Sequence, residues 1–409
     1  ASSASMVTAM TALYFHWLRA GDRVAVKPHA SPVLHCINYL LGQLDREYLT
    51  TLRAFGGLQS YPSRTKDPDP IDFSTGSVGL GAAAPLFASV VDRYVGAHFG
   101  TPPGRRFVAL IGDAELDEGN VWEALADPAA RGLGQLTWIV DFNRQSLDRV
   151  VPGVRSQEFT HVFRDHGWQV EVVKYGRRLR EAFARPGGEA LERRIDEMPN
   201  PEYQSLLRKG GADIRRLVVD NAPEADRAAL SAVLGAYEDE ALPALIGDLG
   251  GHDLGDMIAA LDRADADPDR PTVIFAFTVK GWGLPIAGHP MNHSALLSTP
   301  QVDELRGQLA DAEDEWAGFA ADSPAGRLCV ASAERLSEKH AAPAQRVDPY
   351  AIPHEFGPVT SRPTSSQDAF ARVLQDIANV EEVARHVVTT SPDVSISTGL
   401  GGWINKRGV

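Results

Sequence analysis

Cysteine is almost absent from this chain: Cys36 and Cys329 are the only two in 409 residues, far apart and without CxxC spacing. That excludes a disulfide framework and a zinc site built on clustered thiolates. Cys36 sits in the run Val33-Leu34-His35-Cys36-Ile37, where a buried structural thiol is expected. Long apolar runs are missing as well. No stretch approaches the ~18 uncharged residues needed to span a bilayer, and Ala1-Ser2-Ser3-Ala4-Ser5 lacks the basic start and apolar core of a signal peptide. Basic residues are the minority: 40 Lys and Arg against 54 Asp and Glu give a net charge of −14. Such a balance argues against nucleic acid, because phosphate backbones need clustered cations. The expectation is a cytoplasmic protein with neither a nucleic-acid nor a membrane partner.

What is present is an alternation of strand and helix signals. Val24-Ala25-Val26, Phe107 to Ile111, Trp138 to Phe142, Val170 to Lys174 and Val273 to Thr278 read as strands. Helical patterns stand between them, at Met6 to Ala20, Gly79 to Tyr94 and through the charged stretch from Arg180 to Asp248, broken at Pro199-Asn200-Pro201. This alternation predicts an α/β protein with a doubly wound, mostly parallel sheet. At 44% hydrophobic and 23% charged, the chain can bury the cores of two domains.

Two strand ends carry the chemistry. Gly112-Asp113 follows one apolar run, and Asp141-Phe142-Asn143 closes the next. In a parallel sheet both fall at the carboxyl edge, where α/β proteins bind ligands. An Asp carboxylate and an Asn amide oxygen suit Mg2+, which keeps few protein ligands and completes its shell with water and substrate phosphates. The helix opening near Asp117 to Gly119 can turn free N–H groups toward the same anion. Taken alone, Gly-Asp followed by Asn 30 positions later (143 − 113) also fits an ordinary turn with a capping Asp.

Further segments resolve that choice. Gly112-Asp113-Ala114-Glu115-Leu116-Asp117-Glu118 resembles the GDGEMDE of pyruvate dehydrogenase E1 components of the homodimeric type, a branch of the transketolase superfamily. Asn143-Arg144-Gln145-Ser146-Leu147-Asp148 resembles their NLQRLD. Lys27-Pro28-His29-Ala30-Ser31-Pro32 is similar to QGHISP, Gly57 to Pro62 to GLSSYP, and Ser77-Val78-Gly79-Leu80-Gly81 to SMGLG, with Val78 in place of Met. Tyr203-Gln204, Gly251-His252-Asp253, Thr278 to Gly283 and Asn292-His293 follow in the family's order.

The resemblance implies a thiamine diphosphate-binding fold. It implies Asp113, Asn143 and the Gln145 carbonyl as Mg2+ ligands, and Ser2, Val78, Gly112, Asp113, Ala114, Glu115, Asn143, Leu147 and Lys280 as cofactor contacts. It places His29, Tyr61, Lys280 and His293 at the reacting carbons, with His289 a rival for the part of His293. It assigns 1–305 to a diphosphate- and metal-binding domain, 306–364 to a connection, and 365–409 to the opening of a pyrimidine-binding domain, with a helix from Gln367 and a strand at Val387 to Asp393. The Glu that protonates the aminopyrimidine is expected outside these residues, in a longer chain or a complementing subunit, leaving this chain inactive alone. The implied activity is oxidative decarboxylation of a 2-oxo acid, pyruvate first, with the two-carbon unit passed to a lipoyl carrier within a homo-oligomer. A transketolase-like ketol transferase and a non-catalytic cofactor-binding subunit are the alternatives.

Overall fold

The computed structural model describes residues 2–100, 104–145, 156–309, 314–337, 348–355, 362–391 and 394–408. Leu147 lies outside them. The chain divides into two compact units, residues 1–339 and 340–409.

The first unit is built on five parallel strands, β1 (Arg23–Ala25), β2 (Phe107–Gly112), β3 (Leu136–Phe142), β4 (Gln169–Val173) and β5 (Thr272–Phe277), in the order β1-β2-β3-β5-β4. β2, β3 and β5 are buried on both faces, which is why they appear in the sequence as unbroken apolar runs. Alternate side chains enter two cores. Phe107, Ala109, Ile111, Trp138, Val140 and Phe142 face one, and Val108, Leu110 and Ile139 face the other. Parallel neighbours demand crossovers, supplied here by α2 (Ser31–Leu40) and α3 (Leu80–Phe99) before β2 and by α4 (Gly119–Ala126) before β3. The register pairs Gly112 with Asp141, so the loops carrying Asp113 and Asn143 leave the sheet side by side.

The first helical segment departs from the expected Met6 to Ala20. α1 runs Ser2–Ala12 and then widens into a π turn, Leu13–Trp17. Widening changes the backbone pairing of this bulky aromatic turn, and several of its carbonyls take side-chain donors: Arg335 Nη2 bonds Tyr14 O at 2.8 Å, Ser332 Oγ bonds Phe15 O at 3.4 Å, and Arg106 bonds Trp17 O. Both Ser332 and Arg335 lie on the helix Pro324–Leu336. That helix falls in the range assigned to a connection and packs on the π turn, within the first compact unit.

In the second unit the helix Ser366–Ile377 forms as the amphipathic pattern predicts, and with Glu381–Ala384 and Gly401–Arg407 it encloses a small core of Leu374, Ala378, Ala384, Leu400 and Trp403. The strand expected from Val387 is not formed over 387–391. Among the described residues of this unit there is no other strand to complete its hydrogen bonds.

Candidate active site

Asp113 begins a 3-10 turn directly after β2. Its Oδ1 accepts from the Ala114 N–H at 2.9 Å, and its Oδ2 accepts from the Arg144 N–H at 2.6 Å. The second bond reaches across from β2 to the loop after β3. Arg144 makes it from a left-handed conformation, φ +61°, which a non-glycine residue adopts only when its surroundings hold it there. They do so here: its guanidinium lies 4.5 Å from the Tyr203 ring centre and its carbonyl accepts from Asn200 Nδ2 at 2.9 Å. Burial, then the nearby Asp141 charge, raise the Asp113 carboxyl to about 6. A carboxylate in that setting favours a cation beside it.

Asn143 is buried next to this carboxylate. Its Oδ1 accepts from Gln145 N–H at 3.1 Å and its Nδ2 donates to Asp141 Oδ2 at 3.2 Å. Gln145 is held by its side chain, donating to Gln204 Oε1 at 3.4 Å and accepting from Asn292 Nδ2 at 2.9 Å. Asp113, Asn143 and Gln145 are therefore gathered at one place on the sheet edge. The oxygens of Asp113 and Asn143 are hard donors of the kind Mg2+ takes, so the residues fit a diphosphate-bound Mg2+.

Gly112 donates its N–H to Glu115 Oε1 at 3.1 Å, and Glu115 Oε2 is buried. Burial raises the Glu115 carboxyl. Ala114 is exposed at the turn. Val78, half exposed, precedes Gly79, whose carbon at φ +81° leaves no room for a side chain: a Cβ there would meet Asn120 Oδ1 at 2.2 Å. Asn120 in turn donates to the Val78 carbonyl at 2.9 Å.

The proposed catalytic residues converge from three segments. His29 and Tyr61 rings meet edge-on with centres 5.4 Å apart, and His29 meets His293 at 5.1 Å. Lys280 Nζ lies 3.5 Å from His293 Nδ1 and is itself buried. His289 instead bonds locally, accepting from Met291 N–H at 3.1 Å. Burial first, then the charges of His293, Lys27, Lys280 and Arg53, lower His29 to about 4, so its imidazole is neutral at pH 7. Ser3 Oγ holds the His29 carbonyl at 2.7 Å, while Ser2 is buried at the start of α1 with its carbonyl taken by Ser5 Oγ at 2.9 Å.

Sequence reading missed the supports. Asn292 Nδ2 also donates to Lys280 O at 3.0 Å, latching the loop that bears His293 to Gln145. His35 and Asn38 hold Asp69 Oδ2 at 2.8 and 2.7 Å, and Asp67 accepts the N–H groups of Gln59 and Ser63, both at 2.7 Å. Together they brace the loop carrying Tyr61 against α2. His252 accepts from Val279 N–H at 2.8 Å and stacks on Trp282 at 4.5 Å, steadying the turn beside Lys280. The Gly251-His252-Asp253 match was the available signal for that last contact.

The family model for the transketolase thiamine diphosphate binding domain matches residues 15–185. Pyruvate dehydrogenase E1 components from Cupriavidus necator, Pseudomonas aeruginosa and Escherichia coli are 29%, 29% and 26% identical over 100%, 95% and 100% of this chain, which covers 48%, 46% and 48% of them. The chain thus spans about half the length of these relatives. Among solved structures, a transketolase from Campylobacter jejuni superposes with a TM-score of 0.62 at 16% identity, covering 98% of this chain and 56% of that one. A transketolase from Leishmania mexicana gives 0.55 at 16% identity, covering 81% and 44%. These two likenesses bear on the fold. Residues 15–185 thus match the transketolase thiamine diphosphate binding domain, and along its whole length the chain is similar to part of pyruvate dehydrogenase E1 components.

Proposed function

We propose that this chain supplies the diphosphate- and metal-binding half of a thiamine diphosphate-dependent 2-oxo acid decarboxylase, with pyruvate as substrate and a lipoyl carrier protein as acceptor of the two-carbon unit. The observation that carries this reading is the bond from Arg144 N–H to Asp113 Oδ2 at 2.6 Å, which locks the Asp carboxylate beside the Asn143 amide. Asp113, Asn143 and Gln145 would hold Mg2+ and, through it, the diphosphate. The bound cofactor supplies the nucleophilic carbon and the electron sink for decarboxylation.

This chain's own residues orient and shield. Neutral His29 can donate or accept one hydrogen bond to the substrate without adding charge. Lys280 and His293, 3.5 Å apart, offer positive charge and a proton carrier to a carboxylate or a developing alkoxide. The pyrimidine half of the site, with its carboxylic acid, belongs in this reading to a partner subunit or a further stretch of chain, within a homo-oligomer or complemented assembly. A cytoplasmic setting is part of the same reading, supported by Cys36 and Cys329, which are free thiols.

Calorimetric titration of the purified chain with thiamine diphosphate tests the cofactor. Binding that requires Mg2+ is expected, and no binding with Mg2+ present would refute the reading. Complementation with a pyrimidine-domain polypeptide tests the reaction. CO2 release from pyruvate with an artificial electron acceptor is expected, whereas carbon transfer from a ketose phosphate alone would establish the transferase, and cofactor binding without any turnover a non-catalytic subunit.

A further inference from the structure

Beside Asn143 lies a buried ion pair. Lys27 and Asp141 are both buried, with Nζ 2.6 Å from Oδ2. Asp141 sits near the end of β3 and points to the α1 side of the sheet. It collects donors from three distant elements: Ser5 Oγ of α1 at 2.7 Å, Lys27 Nζ just past β1, and Thr278 Oγ1 just past β5. Its remaining neighbour is Asn143, whose Nδ2 lies 3.2 Å from the same Oδ2.

An Asn side chain has two faces, and only its oxygen can ligate a cation. An ionised carboxylate accepts and never donates, so Asp141 makes the flipped amide costly by setting oxygen against oxygen. The Gln145 N–H on the opposite side, 3.1 Å from Oδ1, enforces the same orientation. A carboxylate buried this deeply needs a counter-charge, and Lys27 provides it where the similar motif has an uncharged Gln. Lys27 also packs on the end of β2, just before Asp113: a Cβ added to Gly112 would lie 3.2 Å from both its Cε and Nζ.

We propose that Lys27 and Asp141 are a positioning pair that orients the Asn143 amide so that its oxygen faces the divalent cation held with Asp113. Neither residue touches the cation. The inference rests on the cofactor reading above. Buried ion pairs are weak sources of stability but can enforce one arrangement over another, and here the arrangement is an amide orientation.

Two matched variants test this. Lys27→Gln with Asp141→Asn keeps the side-chain volumes and removes both charges, but the amide at 141 can then present either face to Asn143. Lys27→Met with Asp141→Leu replaces the pair by apolar groups and carries the same comparison should the first variant fold poorly. Two quantities are read: the melting temperature of the apo chain and the Mn2+ affinity in the presence of saturating thiamine diphosphate. The expected result is a melting temperature within a few degrees of wild type and at least a tenfold loss of Mn2+ affinity. A folded variant binding Mn2+ within twofold of wild type would overturn the positioning role alone. Failure of the wild-type chain to bind Mn2+ with the cofactor would overturn the cofactor reading and this inference with it.

Discussion

The Asp113 carboxylate is tied at 2.6 Å to the backbone of Arg144, the residue between Asn143 and Gln145. Two loops from adjacent strands are thereby held as one frame. Because burial and Asp141 push the Asp113 carboxyl up to about 6, the negative charge is held there at a cost. Asp113→Asn should lower Mn2+ affinity by tenfold or more while shifting the apo melting temperature by only a few degrees. Paired calorimetry and thermal melts check it, and retained cation affinity would refute the ligand assignment.

Asn292 offers a separable test of the loop that bears His293. Its amide bonds Gln145 Oε1 and the Lys280 carbonyl, so Asn292→Ala leaves buried acceptors without a donor, at a cost of about 1–3 kcal/mol. Faster limited proteolysis between Gly283 and His293 is the expected outcome, with thiamine diphosphate binding weakened less than carbon transfer in the complemented enzyme.

His293→Ala and His289→Ala should differ. Only His293 meets His29, with ring centres 5.1 Å apart, whereas His289 serves its own turn. Two-carbon transfer in the complemented enzyme is expected to fall at least tenfold in the first variant and less than threefold in the second.

Histidine titration gives a pH signature. His29 and His252 are lowered to about 4, chiefly by burial, against about 6.5 in an unfolded chain. Between those values the unfolded state binds more protons, so stability rises with pH. Their contribution is present above about 6.5 and is lost as pH falls toward about 4. Carbon-13 NMR of labelled histidines should show both rings neutral at pH 6, and a protonated His29 at that pH would contradict the buried cationic setting described here.

Gly79→Ala probes the entry to α3. The position has φ +81° and a Cβ would meet Asn120 Oδ1 at 2.2 Å and Val121 Cγ2 at 2.7 Å. A loss of about 1–3 kcal/mol is expected from the strained backbone alone, with the collision adding to it. Urea denaturation measures the loss.

The central strands β2, β3 and β5 were legible because each is a short, mostly apolar run between polar turns, and a run buried on both faces has few other ways to be satisfied. Asp113 and Asn143 were legible for a related reason, since a polar residue at the end of such a run must emerge at the carboxyl edge. The π turn at Leu13–Trp17 was not, because its carbonyls are satisfied by Ser332 and Arg335, more than three hundred positions away. Nor was the absence of a strand at 387–391, where the local apolar pattern suffices for a strand but no neighbouring strand stands among the described residues to pair with it.

By itself the sequence determined the α/β alternation, the acidic strand end at 113 and its partner at 143, because side-chain periodicity and turn chemistry are local properties of the chain. Tertiary structure alone decided that Lys27 neutralises Asp141, that Asn292 latches Gln145, and that His293 rather than His289 meets His29. Those contacts join residues 114, 147 and 264 positions apart (141 − 27, 292 − 145 and 293 − 29). Which donor finds which acceptor is settled only when the sheet brings its strand ends together and burial leaves each polar group few alternatives.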